Sequence, residues 1–154
     1  MLNFGNQYIR RAAFTAAVIG SAAFATPVLA APMTFEVHLT GAQEVPAVQT
    51  SGTGTADITY DATNRTVTWS IKYSGLSGPV TMAHFHGPAA VGTNGPVTLW
   101  LTAHMGTVAN PIQGSAVLTA DQAQQFLAGQ WYVNLHTQSH PAGEVRAQVT
   151  PPKS

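Results

Sequence analysis

Apolar and polar residues alternate along much of the chain after residue 31. Apolar side chains occupy every second position in the segments 35–39, 56–60 and 67–73, with polar residues between them. Successive side chains of a strand point to opposite faces, so this period of two predicts half-buried β-strands. Residues 61–64 are turn formers, so the second and third segments are predicted to form a hairpin.

The second half of the chain continues this pattern with one interruption. Further strands are predicted at 80–86, 97–101, 115–118, 131–137 and 144–149. Thr119 and Gln122 have the spacing of a capping box, and a short helix is predicted over 123–128, with Gly129 at its end. Short strands, regularly spaced turns and one helix predict an all-β fold, an antiparallel Greek-key sandwich or barrel.

Residues 1–30 differ from the rest of the chain. Arg10 and Arg11 precede an apolar run from 12 to 25, and small residues follow up to Ala30. This order is typical of a secretory signal peptide cleaved after Ala30, and the apolar run is shorter than the roughly 20 residues of a membrane-spanning helix. We therefore expect one periplasmic or secreted domain over 31–154, with no membrane insertion once the signal is removed.

Charge, motifs and the lack of cysteine exclude several classes of function. After residue 30 the chain has four basic and six acidic residues, a net charge of −2, which does not favour binding to nucleic acid. No nucleophile elbow, glycosidase carboxylate pair or phosphate-binding glycine loop is present, so hydrolase and kinase chemistry are unsupported. Because there is no cysteine, a metal site would be built from histidine, methionine or oxygen ligands.

Three histidines carry the strongest chemical signal. His84 and His86 share one face of a predicted strand, with Cβ atoms roughly 6.5–7 Å apart, and one ion can bridge two imidazoles at that spacing. His136 lies on the non-core face of the predicted strand 131–137. If these strands are neighbours, three outward-facing imidazoles converge, which is enough to bind copper(II) or zinc.

The sequence leaves the fourth ligand open. His140 follows closely after His136, and His104, Met105 and Met82 are the other candidates. Each has a structural alternative, because methionine also fills gaps in a core and a histidine on a polar face also serves as a surface residue. Glu144 and Arg146 share one face, where a structural salt bridge or the orientation of a histidine are both open, and the salt bridge is favoured.

Three motifs carry a resemblance to a known family. The segments 39–46, 83–89 and 132–148 read LTGAQEVP, AHFHGPA and YVNLHTQSHPAGEVRAQ, and they resemble the CHRD domain, first named from chordin. The family's His-x-His falls on His84 and His86, and its His-Thr on His136 and Thr137. The arrangement is also similar to the copper site of copper/zinc superoxide dismutases, although the chain lacks that family's cysteines and a second cluster of zinc ligands.

These observations predict an exported metal-binding protein, with copper as first choice and zinc as second, that handles or stores copper. The predicted metal ligands are His84, His86 and His136, assisted by His140 or His104. Two alternatives stay open: a copper oxidoreductase similar to superoxide dismutase, and a metal-free protein-interaction module, which the resemblance to chordin implies. A homodimer is also open, since outward-facing histidines would allow two chains to share a site.

Overall fold

The computed structural model describes residues 31–102 and 108–153. Eight strands and one α-helix follow one another along this part of the chain. The elements are β1 (Met33–Thr40), β2 (Thr53–Asp61), β3 (Thr66–Ser74), β4 (Val80–His86), β5 (Val97–Trp100), β6 (Ile112–Val117), α1 (Ala120–Leu127), β7 (Tyr132–Thr137) and β8 (Val145–Gln148).

The strands form one curled antiparallel sheet, a half-barrel, in the order β5-β4-β7-β8-β1-β2-β3-β6. The predicted antiparallel all-β fold with one short helix is confirmed. The predicted hairpin is β2 and β3, whose turn is held by Asp61 Oδ1 accepting from the Thr63 amide at 2.8 Å and Asn64 Oδ1 accepting from the Thr66 amide at 2.9 Å. No helix among the described residues is long and apolar enough to cross a membrane.

The apolar core packs against one face of the sheet. Phe85, Val133 and Leu135 of the two histidine-bearing strands are fully buried there. Helix α1 contributes Phe126 to the core, and the centroid of its ring lies 5.6 Å from that of the Trp131 ring. Side chains on alternate positions of a strand face opposite ways, so the neighbours of Phe85, His84 and His86, are directed to the other face.

Element boundaries differ slightly from those predicted. Thr119 and Gln122 do form the capping box, but the helix begins at Ala120, because the residues between the two capping partners already form its first turn. Strand β5 ends at Trp100. Two of the predicted fourth-ligand candidates, His104 and Met105, lie outside the described residues, as does the predicted signal peptide.

The pairing of β4 with β7 positions the histidines. These strands are antiparallel neighbours in the sheet, although about 50 residues separate them in sequence, and Met82 pairs with His136, His84 with Asn134, and His86 with Tyr132. The condition that the sequence left open, adjacency of the two segments, is therefore met.

Candidate metal centre

His84, His86 and His136 meet on the non-core face of the sheet. One ring nitrogen from each lies within 4.8 Å of the others. Nδ1 of His84 is 3.1 Å from Nε2 of His136, and the ring centroids of these two residues are 4.9 Å apart. Ligand atoms around a tetrahedral ion with bonds of 2.0–2.1 Å are about 3.3 Å apart. The 3.1 Å pair already has about this spacing, and separations of up to 4.8 Å in the cluster would have to shorten for one ion to contact all three rings.

The three rings are buried, which differs from the outward-facing rings that the sequence predicts. His84, His86 and His136 are 3%, 8% and 7% exposed. The alternation placed them correctly on the non-core face, but this part of the face is covered. The loop between β4 and β5, residues 87–96, folds over it, and Gly95 contacts both His86 and the Tyr132 hydroxyl. A site shared between two outward faces therefore has no support in this geometry.

Backbone carbonyls fix the tautomers of two of the rings. Nδ1 of His86 is 3.0 Å from the Gly95 carbonyl oxygen, and Nδ1 of His136 is 2.9 Å from that of Pro141. A carbonyl oxygen can only accept, so each Nδ1 must carry the proton and, in the neutral ring, each Nε2 keeps a lone pair. Nε2 of His86 is buried without a hydrogen-bond partner. A ring whose Nδ1 donates to a backbone carbonyl while its Nε2 has no hydrogen-bond partner is typical of histidine metal ligands.

Burial also keeps these rings in their metal-binding form. It lowers the pKa of His86 and of His136, and the hydrogen bonds to Gly95 and Pro141 oppose this only in part. The neutral imidazoles that result at neutral pH are the form that binds a metal ion, since a metal and a proton compete for the same nitrogen.

Aromatic rings and one arginine support the cluster. The His86 ring stacks on Tyr132 with centroids 4.6 Å apart and planes within 2°. Cζ of Arg146 lies 3.4 Å from the centroid of the same tyrosine ring, a cation–π contact. The His84 and Trp100 rings are nearly perpendicular, with centroids 4.1 Å apart. These contacts fix two of the three imidazoles in place.

Arg146 anchors the covering loop and does not form the predicted salt bridge. It donates from Nη1 to Asn94 Oδ1 at 3.0 Å and from Nη2 to the Thr93 carbonyl oxygen at 2.7 Å. The guanidinium therefore makes two hydrogen bonds to the loop and lies against the Tyr132 ring, in place of an ion pair with a carboxylate. The loop over the histidines is thereby attached to the strand next to β7.

Glu144 does not form the predicted salt bridge either. Its carboxylate accepts from the hydroxyls of Thr137 and Thr50, each at 2.6 Å, and from the amide and hydroxyl of Ser77, each at 2.8 Å. Burial would raise the pKa of Glu144, but these hydrogen bonds outweigh it and lower the pKa to about 2. Glu144 is thus a buried structural anion that ties together the segments before β2, before β4 and at the end of β7.

Glu44 is a buried acid that the sequence did not single out. It follows the 3-10 turn Gly41–Gln43, and burial raises its pKa to about 7, although Arg146 and a hydrogen bond from Asn134 act to lower it. Its only advance signal was its place in the motif LTGAQEVP, shared with the CHRD domain. An acid with a pKa this high, next to the histidine cluster, is unusual for a merely structural carboxylate.

Replacing Glu44 by glutamine should change how stability depends on pH. Between pH 4.5 and about 7 the folded chain holds a proton on Glu44 that the unfolded chain has lost, so this residue makes stability fall as pH rises through that window. The free energy of unfolding of Glu44→Gln, minus that of the wild type, should therefore rise by roughly 3 kcal/mol from pH 4 to pH 8. Urea unfolding of both proteins across this pH range measures the change. His86 and His136 contribute with the opposite sign, but they are present in both proteins, so their contributions cancel when the two free energies of unfolding are subtracted. A difference that does not change with pH would contradict the raised pKa.

Two of the predicted fourth ligands, His140 and Met82, lie among the described residues, and neither belongs to the three-histidine cluster. His140 lies half-buried in the turn after β7, where its amide donates to Thr137 Oγ1 at 3.1 Å, and it is not in the described group of three. Met82 is half-buried and pairs with His136 in the register of β4 and β7. Asn134, which no pattern in the sequence marked as a ligand, has its Oδ1 only 3.1 Å from Nε2 of His136.

Fold and site together define an all-β protein with three buried histidines gathered on two adjacent strands. The family comparison agrees with the motifs found in the sequence: the model of the CHRD domain matches residues 35–149, and the chain belongs to the CHRD domain family. That range includes all three histidines, Glu44 and Arg146. No curated protein and no solved structure matches the chain. The likeness to superoxide dismutases stays an analogy of arrangement.

Proposed function

We propose that this CHRD-domain protein binds one transition-metal ion through His84, His86 and His136, and that it acts in copper handling outside the cytoplasm. The observation that carries the proposal is the convergence of three buried imidazoles, in which the Nδ1 atoms of His86 and His136 donate to backbone carbonyls and Nε2 of His86 is buried without a hydrogen-bond partner. Burying bare polar nitrogens is unfavourable unless something binds them.

Copper is the first choice for the ion and zinc the second. Three imidazoles suit both, and divalent copper binds nearly any nitrogen site more tightly than zinc does. Periplasmic or extracellular localisation is supported by the leader-like pattern of residues 1–30 and by the occurrence of CHRD domains in secreted proteins.

A second candidate function is a protein-interaction module, which membership of the CHRD family favours. The structural observation in its favour is the outermost strand β5, where Val97 and Trp100 are 42% and 40% exposed. An outer strand with exposed apolar side chains is a common place for another chain to pair. The two functions are compatible, because the histidines lie on β4 and β7, inside the sheet from this outer strand.

Titration of the metal-free protein with copper(II) and with zinc, against a competing chelator, tests the proposal. The wild type should bind one equivalent tightly, and His84→Ala and His136→Ala should each weaken that binding on the order of 100-fold or more, since each removes a ligand. His38→Ala is the matched control, because His38 is an exposed strand histidine whose nearest charged partner is Glu36. His140→Ala tests the fourth ligand that the sequence predicts.

Unchanged copper affinity in both His84→Ala and His136→Ala would overturn the proposal. It would also leave the interaction module as the better explanation of the fold. Weakening in His38→Ala alone would show that the bound ion sits on the protein surface.

A further inference from the structure

Asn134 occupies the centre of the histidine-bearing face. It lies on β7 between Tyr132 and His136, and it pairs with His84 on one side and with Arg146 on the other. Its side chain is 3% exposed. An amide in this position must find partners within the site, because it has no access to bulk water.

The oxygen of this amide faces a nitrogen lone pair. Oδ1 of Asn134 is 3.1 Å from Nε2 of His136, the atom that keeps a lone pair because Nδ1 of that ring is directed at the Pro141 carbonyl, and Nδ1 of His84 lies at the same distance from it. Two acceptors at this distance repel each other unless a cation lies against both. Their separation is close to the roughly 3.3 Å between neighbouring ligands of a tetrahedral ion.

Glu44 explains why the oxygen, and not the nitrogen, is directed at the histidines. A methyl group added at Gly143 would lie 2.7 Å from Glu44 Oε1 and 2.9 Å from Asn134 Nδ2, so both atoms border the same small space. Glu44 Oε1 is buried without a hydrogen-bond partner among the described residues, and the Asn134 side chain acts to lower the pKa of this carboxyl. Above about pH 7, where Glu44 is ionised and can only accept, the carboxylate holds the amide nitrogen on its own side and the oxygen on the side of the rings.

We infer that the side-chain oxygen of Asn134 is the fourth ligand of the metal site, with Glu44 as the residue that positions it. This inference rests on the proposed metal-binding function. The donor set is then three imidazole nitrogens and one amide oxygen, which replaces His140, His104, Met82 and Met105 as the fourth position. A hard oxygen ligand favours copper(II) and zinc over copper(I), which prefers thioether and thiolate sulfur.

Two substitutions of Asn134 test the assignment. Asn134→Leu keeps the size of the side chain and removes the oxygen, so it should weaken copper(II) binding about 10- to 100-fold while leaving one equivalent bound by the three histidines. It should also alter the hyperfine splitting in the electron paramagnetic resonance spectrum of the copper(II) protein. Asn134→Asp keeps an oxygen and adds charge, so it should bind copper(II) at least as tightly as the wild type and lower the copper(II)/copper(I) reduction potential.

Asn110→Leu is the matched control, because Asn110 bonds only to the backbone of Tyr73 in the described structure and lies outside the cluster. Circular dichroism of the metal-free variants checks folding, and if Asn134→Leu does not fold, the potential and affinity of Asn134→Asp decide the question. Wild-type affinity, spectrum and potential in the Asn134 variants that fold would overturn this inference while the three-histidine site remained. A wild type that binds no copper(II) tightly would overturn the proposed function as well.

Glu44→Gln gives a separate readout of the positioning role. Glutamine can present either its oxygen or its nitrogen to Asn134, so it no longer selects one orientation of the amide. We expect weaker copper(II) binding and a change in the same spectrum, in the direction of Asn134→Leu. Unchanged copper(II) affinity and an unchanged spectrum would show that Glu44 does not position Asn134 and affects only the stability of the fold.

Discussion

Saturation with copper(II) should raise the melting temperature of the wild type by roughly 12–20 °C when free metal exceeds the dissociation constant about 1,000-fold. Binding to the folded state alone adds about 4 kcal/mol under that condition, and a domain of this size gains a few degrees per kcal/mol. The unfolded chain cannot reproduce the site, because His136 comes close to His84 and His86 only through the pairing of β7 with β4. Differential scanning fluorimetry over a series of copper concentrations measures the effect.

The double variant His84→Ala, His136→Ala provides the comparison. It should show little or no increase at the same copper concentrations, since one imidazole remains. His38→Ala should retain the full increase, because this residue is exposed and lies on β1. An equal increase in wild type and double variant would mean that copper stabilises the protein from some other place.

Replacing Glu144 by glutamine should lower the free energy of unfolding by about 3 kcal/mol at pH 7. The carboxylate has a pKa of about 2 when folded and 4.5 when unfolded, so between these values the unfolded chain binds more protons and stability rises with pH. The contribution is complete above pH 4.5 and is lost as pH falls through about 2. A glutamine offers one oxygen in place of two and cannot satisfy all the hydroxyl and amide donors around it.

Urea unfolding of Glu144→Gln at pH 7 and at pH 3 measures this contribution. The difference from the wild type should shrink at the lower pH, where unfolding of the wild type takes up a proton at Glu144. Glu36→Gln is a matched control, since Glu36 is half-exposed and contacts only His38 among the charged groups described. A loss of stability that is equal at both pH values would show that the low pKa of Glu144 is not its source.

The strands and the direction of the histidines could be predicted from the sequence, because both follow from a period of two. Alternation around His84, His86 and His136 places all three on the face away from Phe85 and Val133, and the structure agrees. The adjacency of β4 and β7 could not be derived from local pattern, since about 50 residues separate the two strands. The convergence of the rings was therefore conditional on this pairing.

Burial of the site could not be predicted in the same way. It depends on how the loop of residues 87–96 folds, and the loop is held by Arg146 through Asn94 and Thr93. Alternation says which face a side chain takes but not what covers that face. The same limit explains why Glu144 and Arg146 were assigned to a salt bridge: their partners are hydroxyls and carbonyls of loops, whose positions no periodicity encodes.

Asn134 and Glu44 show a different limit. Asn134 shares its face with His136 by simple alternation, but an amide on a strand has many ordinary roles and carries no signal of its own. Glu44 is distant in sequence from every histidine except His38, so only the folded chain reveals that it borders the amide.

Under the proposed metal-binding function, the pairing of β4 with β7 also determines when the protein can acquire an ion. The site is formed by contacts between residues far apart in sequence, which are among the slower contacts to form as a chain folds. A chain in which β4 and β7 have not yet paired offers only the local pair His84 and His86, two imidazoles in place of three. On that proposal, tight binding belongs to the finished fold, so folding comes first and metal loading second.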